Sequence, residues 1–358
     1  MRRMFDVVVV GAGPGGIVAA KKCAENGLTV LLVEKKKIPR EKVCSGMILS
    51  QLAQTLIKEE FGEIPKEVLI DRLSGLILWV PNMGERKISF NIPITWRKDL
   101  DYWMSKKANE KGVEIWDGTA VKRIFDDGKK CRILLKRKNI EDEIRAKFVI
   151  GADGAYSVVR KSIFPFLQIT HTTAQRMCYE GRLSLLKNYS YIIFPYQQHR
   201  PNFWVNPKGE CFTIEGGIRE LKNEIKTILA EFGLGERKLL WRDGCINRAL
   251  LYNYLLSGEF QPAKGNVLLI GDAAGLKNPI TGEGIHTAIK SGIFAAESIV
   301  KAIKTGDQAS KVYLTEIRPL LVDLRSNYSK LEKIKQHEKR TSFLPILSQI
   351  FEESIYNL

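Results

Sequence analysis

Apolar and polar positions change their rhythm several times along the chain. FDVVVV is a continuous apolar run, interrupted by GAGPGG and followed by IVAAKKCAENG. That order predicts a buried strand, a tight turn and a helix that Gly27 stops. LTVLLVE is a second unbroken apolar run, as expected of parallel strands covered on both faces. A basic loop, KKKIPREKVCSG, leads to a helix from about Leu49 to Phe61. From about Ile70 the pattern alternates, and LSGLILWV and RKISFNI read as antiparallel strands. RKDLDYWMSKKANEKG places Leu100, Trp103, Met104 and Ala108 on one helical face. VEIWDG, TAVKRIF, CRILLKR and IRAKFVIGADG read as short strands, and AYSVVRKSI opens a helix. From about Phe166 to Ser257 the sequence is richer in aromatics. YSYIIFPY and ECFTIEGG read there as strands and LKNEIKTILAEFG as a helix. NVLLIGDAAG returns to the buried-strand style, ahead of a glycine-rich loop and the helix GIHTAIKSGIFAAESIVKAI. Helical sequence fills the remainder.

This alternation predicts an α/β protein with a Rossmann-like domain built from three separated segments, 1–65, 97–165 and 260–305. Residues 66–96 and 166–259 form a mixed, largely antiparallel second domain, and 306–358 a helical C-terminal segment. The 358 residues suffice for one or two domains with substantial cores. No apolar stretch is long enough to span a bilayer, and the N-terminal one lacks a signal-peptide cleavage site, so a cytoplasmic location is expected. The six cysteines form no CxxC pair and histidines number four, which argues against zinc and for free thiols. A formal net charge of +16 favours anionic partners: phosphorylated substrates, an acidic protein or an anionic membrane. Its denser places are residues 129–138 and the run from Lys330 to Arg340. No nucleic-acid recognition motif accompanies them, so nucleic acid is not expected.

Three motifs carry chemistry. Gly11, Gly13 and Gly16 make G-x-G-x-x-G between a strand and a helix, with Pro14 and Gly15 inside it. Gly11 permits the turn, Gly13 lets the backbone approach a pyrophosphate, and Gly16 lets helix and strand pack closely. The helix N-terminus then supplies N–H donors to phosphates. Glu34, ending the second strand, can accept from a ribose 2′-hydroxyl and argues against a 2′-phosphate. The second motif runs from Val149 to Arg160, where Asp153 and Gly154 end a strand; an aspartate there is also a common helix cap. The third is VLLIGDAAGLKNPITGEGI. Gly271 and Asp272 end a buried strand, where a carboxylate needs a hydroxyl or amide partner. Gly282, Gly284 and Ile285 open a helix whose N-terminus can face an anion.

Taken in order, these motifs resemble the p-hydroxybenzoate-hydroxylase-like flavoproteins, and the resemblance covers most of the chain. It implies FAD as cofactor. By the same resemblance Glu34 and the adjoining Lys35 meet the adenosine ribose, while Arg97 and Val121 contact the cofactor. Asp153 and Gly154 then lie near the pyrophosphate, Asp272 binds ribitol-side hydroxyls, and the helix after Gly284 points at the N1/C2=O edge of the flavin. Lys42-x-Cys44-Ser45-Gly46, with NPITGEG, resembles more narrowly the geranylgeranyl reductase family, which reduces prenyl double bonds. That implies a loop beside the isoalloxazine, with Cys44 as a candidate proton donor or as a small packing residue. It also implies a hydrophobic prenyl substrate, an electron donor such as NAD(P)H or ferredoxin, and possible contact with a membrane surface.

Two departures stand out. Ser45 replaces the first glycine of the family's usual K-x-C-G-G, and the chain is short at its C-terminus for the family. The family's Tyr-x-Trp-x-Phe-Pro is represented by Ser190, Ile192, Phe194 and Pro195, with tyrosines one residue off at Tyr189 and Tyr191. A one-residue shift in a strand moves a side chain to the other face. The substrate wall is therefore expected to differ. A flavin monooxygenase of the same fold is the alternative reading, and a flavoprotein that binds anionic lipid or nucleic acid without catalysis is a second. No W-x-W-x-I-P element supports a halogenase. At the C-terminus, Phe343, Ile346, Leu347, Ile350 and Phe351 recur at helical spacing, fitting a helix packed on its own protein or one laid on a membrane.

Overall fold

The computed structural model describes residues 3–356 apart from 81–82, 139, 184–187, 195–202, 219–224, 228, 231–232, 234, 236 and 338–341. Pro195, much of the helix expected over LKNEIKTILAEFG, and the end of the basic run at 338–340 lie outside the described residues.

In chain order, β1 (Met4–Val10) enters α1 (Pro14–Glu25), and β2 (Val30–Val33) precedes α2 (Gln51–Phe61). The hairpin β3 (Leu69–Val80) and β4 (Gly84–Thr95) leads to α3 (Arg97–Glu110). β5 (Glu114–Trp116), β6 (Thr119–Asp126), β7 (Cys131–Arg137) and β8 (Ile140–Gly151) follow, then the short α4 (Val158–Ile163). Next come β9 (His171–Glu180), β10 (Tyr189–Ile193), β11 (Phe203–Lys208), β12 (Cys211–Gly216) and β13 (Leu239–Ala249). The chain ends with α5 (Tyr252–Ser257), β14 (Ala263–Lys264), β15 (Val267–Leu269), α6 (Ile285–Thr305), α7 (Ala309–Glu316), α8 (Arg318–His337) and α9 (Phe343–Tyr356).

Two sheets organise these elements. The first runs β14-β15-β8-β1-β2-β5, with β6 and β7 attached through β8. Its central pairs β15/β8, β8/β1, β1/β2 and β2/β5 are parallel. Val7, Val8, Val9, Leu31, Leu32, Val149, Ile150, Val267 and Leu268 are buried, the all-apolar signature of strands covered on both faces. The second sheet runs β13-β9-β12-β11-β10-β3-β4 and is antiparallel except where β10 lies along β3. Residues 4–33 and 114–151 and the 263–269 pair thus join in one sheet, and residues 69–95 join those from 171–249 in the other.

Glycines set how closely the layers approach. A Cβ on Gly16 would stand 2.0 Å from the Gly11 carbonyl oxygen, so only glycine lets α1 leave β1 this tightly. A Cβ on Gly15 would meet the Ala288 carbonyl at 2.5 Å, and one on Gly292 the Gly15 carbonyl at 2.4 Å. Helices α1 and α6 therefore cross nearly backbone to backbone. Gly15 serves this crossing as well as the loop, a role its place in the motif does not disclose.

The C-terminal helix α9 lies on the second sheet. Phe343, Leu347, Ile350 and Phe351 are buried with Leu76, Leu78, Ile88 and Ile192, and the Phe194 ring meets Phe343 and Phe351 edge-on. The apolar stripe of the last segment is thus consumed by the protein's own core. No helix among the described residues is long and apolar enough to cross a membrane.

Candidate active site

A cleft of about 970 Å³ opens where the two sheets meet. It sits past the C-terminal ends of β1, β2, β8 and β15, bordered by Val10, Val33, Ala152 and Ile270, the position where open parallel sheets hold ligands. Its volume is at the upper end for small-molecule sites, which suits a large nucleotide plus a second ligand. Every candidate residue from the sequence lines it except Gly46. Gly46 packs tightly on the end of β4: its φ is +72°, and a Cβ there would stand 1.9 Å from the Thr95 carbonyl oxygen. Its own carbonyl accepts from the Thr95 amide and hydroxyl, at 2.9 and 3.1 Å.

One end of the cleft is ready for phosphates. Gly13, just before α1, has only the Arg40 guanidinium near the place of a Cβ, at 3.6 Å. Helix α1 begins with Pro14 and has no side-chain cap, and α6 likewise starts at Gly284 with no side-chain cap. Two helix N-termini therefore face one space, which favours negative charge, although at α6 the buried Glu283 carboxylate already accepts from the His286 amide at 3.1 Å. Glu34 is buried beside them. Its carboxylate accepts from the amides of Ala12 and Lys36, both at 3.0 Å, and lies 3.2 Å from Arg40 Nε. These contacts fix its orientation at the end of β2 while it still lines the cleft.

A charged chain continues along this wall. Arg40 donates to the Ala12 carbonyl at 2.7 Å and to Asp101 at 3.1 Å. Asp101 accepts two bonds of 2.9 Å from Arg97, four residues earlier on α3. Arg97 is buried, yet Asp101 and Cys44 hold its guanidinium more firmly charged than usual against the cost of burial. The sequence singled out Arg97 but not Asp101, because an Asp four residues after an Arg on a polar helix looks like any surface pair.

Asp153 has a local duty. Its carboxylate accepts from the Ser157 hydroxyl at 2.6 Å and from the amides of Val158 and Val159 at 2.6 and 3.1 Å. It therefore secures the start of α4, as an aspartate at a strand end often does. Burial pushes its pKa up despite these donors. Arg160, fully buried behind it, donates to the carbonyls of Ala155 and Ala273, at 2.6 and 2.7 Å, tying the second motif to the third. Asp272 differs from Asp153: its carboxylate accepts no hydrogen bond from the described residues and lies beside Gly284, with one oxygen 3.4 Å from the place of a Cβ. A half-buried acid without a protein donor requires hydroxyl or amide partners from a ligand or solvent.

Cys44 lies beside Arg97, half buried, its sulfur 3.5 Å from the Gly46 amide. Its carbonyl accepts from Arg176 at 3.0 Å, and Arg97, Arg176, Lys208 and Lys277 all act on it electrostatically. Arg176 chelates Asp243 at 3.2 and 2.7 Å and lies over the rings of Trp96 and Trp241. Lys208, buried, donates to the Thr95 carbonyl at 2.7 Å, and burial depresses its pKa to about 8. The substrate wall differs from the family pattern in a definite way. Ser190 donates to Asn206 at 2.9 Å, both buried, and Ile192 is paired across the strands with Trp204, which lines the cleft. An aromatic ring thus reaches this wall from the neighbouring strand.

The two sheets and the cleft at the parallel-strand ends fit a nucleotide-binding flavoprotein, and the similarities to known proteins make the chain an FAD-dependent oxidoreductase. The sequence profile described as FAD dependent oxidoreductase matches residues 6–166. The chain is 30% identical over 358 aligned positions to a digeranylgeranylglycerophospholipid reductase of Methanocella arvoryzae, covering 94% of this chain and 88% of that protein. It is 31% identical to digeranylgeranylglycerophospholipid reductase 1 of Methanopyrus kandleri, covering 86% and 83%. It belongs to the digeranylgeranylglycerophospholipid reductase family. Among solved structures, a geranylgeranyl bacteriochlorophyll reductase-like protein of Thermoplasma acidophilum superposes with a TM-score of 0.77 at 21% identity, covering 99% of this chain and 97% of that one. The p-nitrophenol 4-monooxygenase PnpA of Pseudomonas putida shares the fold at a TM-score of 0.73 and 16% identity, covering 99% and 98%.

Proposed function

We propose that this protein reduces carbon–carbon double bonds of a prenyl-type lipid, using FAD held in the cleft between the two sheets. The observation that carries the reading is the convergence of two helix N-termini, a buried glutamate and an aspartate with no donor among the described residues on one cleft, in a chain of the reductase family. In this reading residues 1–65, 97–165 and 260–305 form the cofactor domain, and 66–96 with 166–259 form the substrate domain. Gly11, Gly13, Pro14, Gly15 and Gly16 cradle the pyrophosphate. Glu34 and Lys35 meet the adenosine ribose, with Arg97, Val121, Asp153 and Gly154 alongside the cofactor. Gly271 and Asp272 bind its hydroxyls, and Gly282, Gly284 and Ile285 bring the positive end of α6 to the flavin ring. Lys42, Cys44 and Ser45 border the ring on the substrate side, above Trp204.

When bound, the reduced cofactor would supply a hydride to an alkene carbon, and the chain supplies orientation and a proton. Electrons enter from NAD(P)H or a ferredoxin-type donor; the latter is acidic and complements the +16 charge. A cytoplasmic setting with contact to an anionic membrane surface belongs to the same proposal. The test is anaerobic turnover of dithionite-reduced protein with a panel of prenyl lipids. Loss of double bonds at a rate matching flavin reoxidation is expected. Flavin reoxidised by oxygen with hydroxylated or epoxidised product, and no anaerobic product, would assign the chain to monooxygenase chemistry.

A further inference from the structure

Among the described residues that line the cleft, the second sheet contributes one acidic side chain. Glu215, on β12, is paired with Arg176 on β9 and with Trp204 on β11, so the three form a row across one face of the sheet. Glu215, Trp204 and Cys44 line the same cleft. The Thr213 hydroxyl donates to Glu215 Oε1 at 3.3 Å. The charged groups that act on Glu215 are Arg176 from β9, Lys208 from β11 and Asp243 from β13. Both cations are engaged elsewhere, Arg176 with Asp243 and the Cys44 carbonyl, Lys208 with the Thr95 carbonyl. Neither makes an ion pair with Glu215 among the described residues. Burial is the main cause that disfavours its charged form, and nearby Asp243 adds to it. Together they push the Glu215 carboxyl up to about 7, so that about half of it carries a proton in neutral solution.

We propose that Glu215 is the proton donor of this cleft, delivering a proton to the alkene carbon that does not receive the hydride. The proposal rests on the reductase reading above. In the balanced step the π bond breaks and a C–H bond forms at each carbon. Two electrons arrive with the hydride, leaving the flavin oxidised. The proton comes from the Glu215 O–H, leaving a carboxylate that solvent reprotonates through the open cleft. A carboxyl with a pKa near working pH suits this transfer better than one that is always ionised. Arg176 and Lys208 stabilise the carboxylate once it forms, which makes them positioning residues here. The sequence hid this role, because Glu215 occupies a strand ending, TIEGG, that matches no catalytic motif.

The experiment uses FAD-loaded full-length chain carrying Glu215→Gln or Glu215→Asp, with Cys44→Ala alongside. Infrared titration should show a protonated carboxyl at pH 6 that ionises through about pH 7 in the wild type and is missing from Glu215→Gln. Single-turnover reduction of a digeranylgeranyl lipid should fall about 100-fold or more in Glu215→Gln. Lipid and FAD affinity should hold, and Glu215→Asp should recover part of the rate. The wild-type rate should decline as pH rises through 7, and the Gln variant should lose that dependence. A Glu215→Gln protein that keeps wild-type rate and pH profile overturns the proposal, and loss of turnover in Cys44→Ala alone moves the donor to the thiol. If Glu215→Gln fails to retain FAD, Glu215→Asp decides by the same band and pH profile. Wild-type protein that reduces no prenyl lipid refutes the reductase reading instead, and the infrared band still reports whether Glu215 holds its proton.

Discussion

Removing Asp101 should damage the protein far more than its place on a polar helix suggests. Asp101→Ala deletes the acceptor of two 2.9 Å bonds from Arg97 and one of 3.1 Å from Arg40. Arg97 and Asp101 are 7% and 3% exposed, so the variant leaves a buried guanidinium without its counter-charge. Breaking one partner of a buried pair costs about 3–5 kcal/mol. Both arginines line the cleft and can draw water from it, which places the expectation near the lower bound, about 3 kcal/mol. That is about a fifth to three fifths of a typical domain's stability. Glu110→Ala provides the control: its pair with Lys107 lies on the same helix but is exposed, and its loss should cost about 0.5 kcal/mol or less. Urea unfolding of the apoproteins, read as a shift of midpoint at constant slope, measures both. An Asp101→Ala cost below about 1 kcal/mol would refute the reasoning, since the two guanidiniums would then be hydrated in the native state.

Gly16→Ala should abolish FAD retention, because the added methyl collides with the Gly11 carbonyl and displaces α1; an alanine variant with unchanged FAD affinity would contradict this. Asp272→Ala should lose most FAD affinity by equilibrium titration while folding normally, and unaltered binding would reject its assignment. Phe351→Ala should cost about 3–5 kcal/mol by urea unfolding, since its ring is fully buried between α9 and the second sheet; a cost within 1 kcal/mol would mean that α9 is not part of the core. Glu215 also sets a pH dependence. Its folded pKa is raised, so the native state holds more protons than the unfolded one between the ordinary glutamate value and about 7. Its contribution is most favourable at low pH and is lost as pH rises through that window. Relative to wild type, Glu215→Gln should therefore gain stability between pH 5 and pH 8, and a difference independent of pH would argue that the carboxyl titrates normally.

Much of the framework was legible because it rests on periodicity and punctuation. The unbroken apolar runs at Val7–Val10, Leu31–Val33 and Val267–Leu269 admit little besides central parallel strands, and the glycine spacing after β1 dictates the turn. What escaped sequence reasoning depends on pairings between distant segments. Asp101 became a site residue only when α3 brought it to Arg40. Gly292 looked like an ordinary helix glycine until α6 lay against Gly15. Gly46 belongs to a loop motif, and its close approach to Thr95 appears only in the fold. Glu215 and Trp204 acquire meaning from strand register, which fixes which residues share a face and which a single sequence leaves open. The apolar stripe of α9 fits a helix packed on its own protein better than one laid on lipid, and the sheet beneath it supplies that partner.

The central claim is that one cleft grips one flavin nucleotide with its ring at the Cys44 wall. A crystal structure of the chain with FAD and a prenyl lipid measures this directly. The account predicts pyrophosphate at the start of α1, the flavin ring between the start of α6 and the Cys44 loop, and the lipid's double bond between that ring and Glu215. FAD bound outside the cleft, or a lipid lodged where Cys44 and Glu215 cannot reach its double bonds, would contradict it.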